Sequence, residues 1–146
     1  MMGSGNQGVS MSGTSMAAPY VAGVAALMKQ THPTWTNEQI KAALMNTAVD
    51  LADSVSRQVP RQGAGRVNIP DALDTQVVAI GDPKLVSLNW GLLELHEDSY
   101  DSGKLVKMKN FSTSDINVTM ETTFISPSSA GATLVPEANP VEIFAG

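Results

Sequence analysis

The sequence predicts two parts with different secondary structure: a helical part over residues 1–80 and an incomplete antiparallel β-sandwich over residues 84–146. Apolar residues recur at helical spacing in the first part and at every second position in the second. The tripeptide Gly81-Asp82-Pro83 between them contains the two residue types that most often interrupt regular structure. With 146 residues, 42% of them hydrophobic, the chain is long enough to form a core.

The first helix is predicted over Ser15 to Thr31. Its residues are apolar on nearly every side as far as Lys29, which is typical of a helix buried inside a larger body. Pro19 falls in the first turn, where a missing N–H is tolerated. His32-Pro33 ends the helix, because proline disfavours a helical conformation in the residue before it.

The second helix has the clearest start signal. Thr36 and Gln39 have the spacing of a capping box. Residues suited to a buried face then follow at helical spacing: Ile40, Ala43, Leu44 and Thr47. After this helix, polar residues 50–62 predict a loop, Gly63-Ala64-Gly65 predicts a turn, and Ile69 to Leu73 predict a short last helix.

Strands are predicted in the last part of the chain, where apolar and polar residues alternate. The runs lie near residues 85–90, 104–111, 116–125, 132–135 and 141–144. Five runs are fewer than the about seven strands of a closed sandwich. We therefore expect the sandwich to be incomplete.

The composition excludes several classes of function. Nine basic and fourteen acidic side chains give a net charge of −5, which disfavours nucleic acid as a partner because phosphate binding needs a basic surface. The absence of cysteine excludes disulfides, thiolate metal sites and a cysteine nucleophile. No apolar run is long enough to span a bilayer, so we expect no membrane span. Met1 to Gln7 do not have the pattern of a signal peptide.

One segment carries a chemical signature. Residues 11–23 read Met-Ser-Gly-Thr-Ser-Met-Ala-Ala-Pro-Tyr-Val-Ala-Gly. This resembles the nucleophile segment of the subtilisin-like serine proteases (subtilases), whose motif is Gly-Thr-Ser-Met-Ala-x-Pro followed closely by Val-Ala-Gly. Every fixed position is present. The one departure is Tyr20, where the family most often has a histidine that is not a member of the catalytic triad.

The resemblance implies that Ser15 is a catalytic nucleophile. A serine hydroxyl is a weak nucleophile and must be held beside a base. A helix start would fix the Ser15 Oγ and supply unpaired N–H groups that can bind an oxyanion. We assign Gly13, Thr14 and Met16 to the oxyanion and substrate wall, with Met16 open to oxidation. A plainer alternative is that Ser15 is only a helix N-cap.

The resemblance continues beyond the motif. Residues 42–48 are similar to the next helix of the family, and residues 62–68 to a glycine-containing segment near the end of its catalytic domain. The strand part looks like the fibronectin-type-III-like module of larger subtilases. The implied fold class is α/β, with residues 1–80 forming the C-terminal helical part of a subtilisin-like parallel α/β fold.

The other members of a subtilase triad are not recognisable. Subtilases have the chain order Asp, His, Ser, and no Asp or His precedes Ser15. Asn6 is too close to Ser15 to be the family's oxyanion asparagine. His32 lies roughly 25 Å away along the helix, and His96 falls in a charged, solvated loop. We predict no metal site from these two histidines. Four aspartates receive no catalytic role: Asp50, Asp53, Asp71 and Asp74.

The resemblance identifies the chain as a C-terminal fragment of a subtilisin-like serine endopeptidase, with further sequence expected on both sides. It implies a polypeptide substrate, the missing N-terminal part of the catalytic domain as a partner, and an extracellular or cell-surface location. We expect no cofactor; calcium is common in the family but has no recognisable site here.

We expect the isolated chain to be inactive because the base is absent, and residues 1–80 alone to fold poorly because their apolar helix is uncovered. Two alternatives stay open. One is a non-catalytic β-sandwich interaction module with a relic protease segment. The other is a piece that pairs with a separately encoded half carrying the Asp and the His.

Overall fold

Helices and short antiparallel strands make up the part of the chain that the computed structural model describes, residues 5, 8, 10–51, 59–82, 85–91, 100–123 and 133–146. The helices are α1 (Thr14–Thr31), α2 (Asn37–Asn46), α3 (Val59–Gln62) and α4 (Ile69–Asp74). The strands are β1 (Val77–Ile80), β2 (Lys107–Asn110), β3 (Ile116–Val118) and β4 (Val141–Ile143).

The predicted helices are confirmed with small changes at their ends. Helix α1 begins one residue before the predicted start, and α4 extends one residue past its predicted end. Both bonds of the α2 capping box form: the Thr36 N–H donates to Gln39 Oε1 at 2.8 Å, and the Gln39 N–H donates to Thr36 Oγ1 at 3.2 Å. The start of α2 is therefore specified by side chains within its own first turn.

The predicted loop over residues 50–62 is wrong at its end, where α3 forms. The Gln62 side chain holds this turn in place, since its Nε2 donates to Asp50 Oδ1 at 2.8 Å and its Oε1 accepts from the Leu51 N–H at 3.3 Å. The Gly63 N–H donates to Val59 O at 2.8 Å and closes the helical turn.

The turn predicted at Gly63-Ala64-Gly65 is confirmed, and it depends on both glycines. Gly63 has φ of 61° and Gly65 has φ of 120°, in the region that favours glycine. A Cβ at Gly65 would lie 2.4 Å from the Val49 carbonyl oxygen. That close approach lets Val49 and Arg66 exchange two backbone hydrogen bonds of 2.8 Å.

Both sheets of the described residues are two-stranded and antiparallel. β1 pairs with β2 from Val77↔Asn110 to Ile80↔Lys107, and β3 pairs with β4 from Ile116↔Ile143 to Val118↔Val141. β1 is absent from the sequence prediction because a four-residue apolar run has no alternation to identify it. The first sheet thus joins residues on both sides of the predicted boundary at 81–83.

The predicted strands are longer than those observed. The runs at 104–111, 116–125 and 141–144 shrink to β2, β3 and β4, and the described residues of the run at 132–135 form no strand. Residues 124, 125 and 132 lie outside the described residues.

The strand predicted at 85–90 is wrong because the chain turns back at Val86. The Gly81 N–H donates to Val86 O at 2.7 Å, and Val86 has φ of 72°, which is rare for a β-branched residue. A Cβ at Gly81 would lie 2.8 Å from Leu88 Cδ2 and 3.0 Å from Val86 O, so the turn leaves little room for a side chain there. The reversal buries Val86, which is 5% exposed.

A single apolar core includes residues from both predicted parts. Its buried members are Val24, Met28, Trp35, Ile40, Ala42, Ala43, Leu44, Ala72, Val78 and Val86. Helix α2 lies against β1, and the Asn46 Oδ1 accepts the Ala79 N–H at 2.8 Å. Trp35 is a core aromatic, and Trp90 is half-buried and donates its Nε1 proton to Ser102 Oγ at 2.9 Å.

Candidate active site at the start of the first helix

Gly13 forms the N-terminal cap of α1, with φ of 144° and ψ of 166°. Its carbonyl accepts from the Met16 N–H at 3.0 Å and from the Ala17 N–H at 3.1 Å. Since the cap is Gly13, the alternative that makes Ser15 the N-cap is wrong. Ser15 is instead the second residue of the helix, and its N–H precedes the first intrahelical bond.

The first turn of α1 is exposed to solvent. The Met16 side chain lies over the cap, because a Cβ placed on Gly13 would be 3.8 Å from Met16 Sδ. Every residue from Ser10 to Gly23 is exposed, so the Ser15 side chain faces solvent in this chain. The structure therefore places Gly13, Thr14, Ser15 and Met16 together at one helix end.

The electrostatics of this helix end favour an anion. The first turn of α1 contains no acidic residue, so no side chain of that turn offsets the positive end of the helix dipole. Lys29 lies in the last turn, where a cation complements the negative end of the dipole. An oxyanion beside the Ser15 N–H would be stabilised by the positive helix end, whereas Lys29 at the other end stabilises the helix itself.

His32 has a structural role at the opposite end of α1. It is the C-cap residue, and its backbone N–H donates to Met28 O at 2.8 Å. Its Nε2 lies 2.9 Å from the Leu73 carbonyl oxygen, and its ring stacks on Trp35 with centroids 3.9 Å apart. The prediction that His32 marks the helix end is confirmed, and this arrangement keeps it away from Ser15.

The remaining polar candidates are dispersed. Asp50 accepts from Gln62, Asp71 accepts from Asn68 Nδ2 at 2.6 Å, and Asp74 ends α4. Asn6, Asp53 and His96 lie outside the described residues. Within the described ranges no three His, Asp or Glu side chains are grouped so that they could hold a metal ion. None of the helices described is long and apolar enough to cross a membrane.

A shallow hollow beside α1 was not expected from the sequence. Tyr20, which is 54% exposed, lines a hollow of about 260 Å³ together with Val49, Arg66 and residues 67–70. In the sequence, this hollow is marked only by Tyr20, the position that differs from the family motif. The role of Arg66 could not be predicted, because it depends on the backbone bridge between Arg66 and Val49.

Comparison with known proteins finds similarity in the first part of the chain. The profile of the Subtilase family matches residues 3–65. The minor extracellular protease Vpr of Bacillus subtilis (strain 168) is 53% identical over 66 residues, which is 44% of this chain and 8% of Vpr. The alkaline elastase YaB of Bacillus sp. (strain YaB) is 50% identical over 64 residues, 44% of this chain and 16% of the elastase.

A plant protein is also similar to this chain. The subtilisin-like protease SBT1.9 of Arabidopsis thaliana is 46% identical over 68 residues, 47% of this chain and 9% of that protease. The chain thus spans less than a fifth of the length of each of these three relatives.

The family match includes the first turn of α1 and continues through α2 to the turn at Gly65. Residues 66–146 lie beyond it. Over residues 3–65, this chain is similar to the Subtilase family.

Proposed function

We propose that this chain supplies the nucleophile of a subtilisin-like serine endopeptidase. Ser15 Oγ attacks the carbonyl carbon of a peptide bond while its proton passes to a histidine base that an aspartate orients. The base then protonates the leaving amine, and water hydrolyses the acyl-enzyme. The observation that carries this proposal is the position of Ser15 in the first turn of α1, two residues after the Gly13 cap and inside the segment that matches the family.

The tetrahedral intermediate carries a negative charge that needs donors. The Ser15 N–H is available ahead of the first intrahelical bond. Removal of one such donor typically costs about 100- to 1,000-fold in rate. Gly13 gives the substrate backbone room to approach, and Thr14 and Met16 complete the wall. An asparagine from another segment supplies the second donor in this proposal.

The histidine and the aspartate come from a segment outside the described residues. His32 is at the far end of α1 and is held by Leu73 and Trp35. An N-terminal part of a subtilase catalytic domain provides both groups in the order typical of the family. It also supplies the parallel sheet of the α/β fold that we propose for the complete protein.

The exposed surface of α1 supports such a partner. Large apolar side chains remain accessible along the helix, at Met16, Tyr20, Val21 and Leu27. An apolar surface of this kind is typical of a face that another part of a protein covers. Because acyl transfer by a triad uses protein groups alone, no cofactor takes part in the proposed reaction.

The substrate and location follow from the same comparison. We propose a polypeptide substrate, since the relatives are named as proteases. An extracellular location is supported by the name of Vpr, a minor extracellular protease. We also propose that residues 84–146 form a fibronectin-type-III-like module. The antiparallel pairing of β3 with β4 supports this proposal.

The test is reconstitution. The chain is produced together with a segment of a subtilase that carries the triad Asp and His, and hydrolysis of a peptide substrate is measured. A fluorophosphonate reports which serine is activated. We expect no hydrolysis by the chain alone, hydrolysis by the mixture, and labelling of Ser15. Ser15→Ala abolishes both signals, whereas Ser12→Ala, which removes an exposed serine three residues earlier, leaves them unchanged.

Two results would contradict the proposal. Hydrolysis that survives Ser15→Ala, or a label on another serine, would assign the nucleophile elsewhere. A mixture that folds together without hydrolysis or labelling would favour the non-catalytic module with a relic protease segment.

A further inference from the structure

Contacts of its carboxyl-terminal half fix the direction of α1 in the described chain. Its buried residues are Val24 and Met28, whereas every residue from Ser10 to Gly23 is exposed. Within the described chain, the end that carries Ser15 therefore projects from the body. In the described chain, the contacts at the opposite end therefore set the direction of α1 and so the position of Ser15.

Three stacked rings hold that opposite end. His32 stacks on Trp35 with ring centroids 3.9 Å apart and planes at 13°. Trp35 stacks in turn on Phe111 with centroids 4.5 Å apart and planes at 29°. Trp35 is 4% exposed, so the stack is part of the core.

Hydrogen bonds fix both ends of this stack. Lys29 Nζ donates to Trp35 O at 2.7 Å, and His32 Nε2 lies 2.9 Å from Leu73 O. On the other side, the Phe111 N–H donates to Gln76 O at 2.7 Å. Phe111 directly follows β2, so a residue of the strand part forms the outer wall of the contact that holds α1.

We propose that Phe111 is a positioning residue for Ser15, which acts by fixing the direction of α1 through Trp35 and His32. The proposal rests on the proposed function of Ser15 for its catalytic consequence. The predicted effect of Phe111 on the direction of α1 does not depend on that function, because this direction can be measured without any reaction.

The length of α1 makes a small tilt important. An 18-residue helix is about 27 Å long, so a tilt of about 2° at its far end moves Ser15 by about 1 Å. A misplacement of about 1 Å can cost about 100-fold in rate. A looser ring stack is therefore expected to lower the catalytic rate, although the rings lie at the opposite end of α1 from Ser15.

The geometric test uses spin labels on the full chain. The chain contains no cysteine, so Ala18→Cys on α1 and Asn37→Cys at the start of α2 can be labelled uniquely, and both positions are exposed. The distance distribution between the labels is measured by pulsed electron spin resonance. A tilt of about 10° would shift the exposed end of α1 by about 5 Å.

We expect Phe111→Ala and Phe111→Leu to broaden or shift this distance distribution by several ångströms. Phe111→Tyr should leave it as in the wild type, because the aromatic ring is kept. Phe111→Leu retains most of the apolar volume and gives a folded sample should Phe111→Ala unfold. The matched control is Phe144→Ala, since Phe144 is 69% exposed and belongs to the same part of the chain. An unchanged distribution in a folded Phe111→Leu chain overturns the proposal.

The catalytic consequence is measured in the reconstituted protease. We expect Phe111→Leu to lower kcat and the rate of Ser15 labelling by about 10-fold or more, with recovery in Phe111→Tyr. A purely structural role would lower the amount of folded protein but leave the rate per folded molecule unchanged. If the wild-type mixture shows no Ser15 reaction, the proposed function fails, and the label distances alone decide whether Phe111 directs α1.

Discussion

Lys104 binds both carboxylate oxygens of Asp82, at 2.9 Å to Oδ1 and 2.8 Å to Oδ2. The Asn89 N–H also donates to Oδ2, at 3.0 Å. These donors favour the charged carboxylate, and the hydrogen bond from Lys104 is the main cause of a lowered pKa for Asp82. The pair connects the joint at 81–83 to the segment that leads into β2.

We predict that Lys104→Met raises the pKa of Asp82 toward its ordinary value. Because the folded-state pKa is lowered, the pair stabilises the fold above the unfolded pKa, and this contribution disappears as the pH falls through the folded value. The measurement is an NMR titration of the Asp82 carboxyl carbon. Lys107→Met is the control, since Lys107, Lys104 and Asp82 line one hollow, but Lys107 forms no hydrogen bond to Asp82. An identical Asp82 titration in both variants would show that Lys104 does not set this pKa.

The α2 capping box gives a second prediction. Thr36→Ala removes the acceptor for the Gln39 N–H and is expected to lower the free energy of unfolding by about 1 kcal/mol. Thr36→Ser keeps the hydroxyl and should retain most of that stability. Urea unfolding of the three chains provides the measurement, with Thr113→Ala as an exposed control. Equal stability of Thr36→Ala and wild type would contradict a role for the cap.

The two glycines of the turn at 63–65 provide a matched pair for a third prediction. Gly63→Ala meets no atom within 4 Å, so it should cost only the left-handed backbone penalty of about 1–2 kcal/mol. Gly65→Ala adds a clash with the Val49 carbonyl and should cost clearly more. Urea midpoints compare the two, and hydrogen exchange at Val49 and Arg66 reports the bridge. The reverse order of stability would be inconsistent with this geometry.

The buried side chain of Asn110 leads to a fourth prediction. It is 2% exposed; its Nδ2 donates to Ser114 O at 2.8 Å and Ile143 O at 3.2 Å, and its Oδ1 accepts from the Ser112 N–H at 2.9 Å. Asn110→Ala leaves these backbone groups without their partner and should cost about 1–3 kcal/mol.

Asn110→Asp tests the direction of these bonds. A carboxylate there would face two carbonyl oxygens, which raises its pKa in the folded state, so the variant should lose further stability as the pH rises above the unfolded carboxyl pKa. Asn117→Asp, at an exposed position of β3, is the control. Thermal unfolding at pH 4 and pH 7 separates the two variants, and the same pH dependence in both would argue against a buried Asn110.

Local signals explain which parts of the fold could be predicted. The start of α2 depends on Thr36 and Gln39, three residues apart, and the turn at Gly63-Ala64-Gly65 depends on its own glycines. β1 and β2 depend instead on pairing between residues about 30 positions apart. Such pairing leaves no periodic signal in a four-residue strand. The wrong strand at 85–90 has a different origin: a hydrogen bond from the Gly81 N–H to Val86 O, five residues later, reverses the chain, and the alternation of apolar residues does not reveal it.

For the candidate site, the sequence predicts which residues lie together but not the contacts that hold the helix. The motif places Ser15 within two residues of Gly13 and Met16 by chain order alone, and the helix start keeps them together. The catalytic role of Ser15 stays a prediction, because it requires a base that the described residues do not supply. The contact between Trp35 and Phe111 could not be predicted, because the two residues are 76 positions apart and nothing in the sequence shows which aromatic rings meet.

The long separation between β1 and β2 also has a consequence for synthesis. Val77 pairs with Asn110, so β1 emerges from the ribosome about 30 residues before its partner. At about 5–20 residues per second, this interval lasts roughly 2–6 seconds. During it, Val78, which is fully buried in the folded chain, lies on an unpaired apolar strand edge. The nascent chain is therefore expected to be most exposed to chaperone binding and to aggregation in this interval, and translation pauses between residues 80 and 110 would lengthen it.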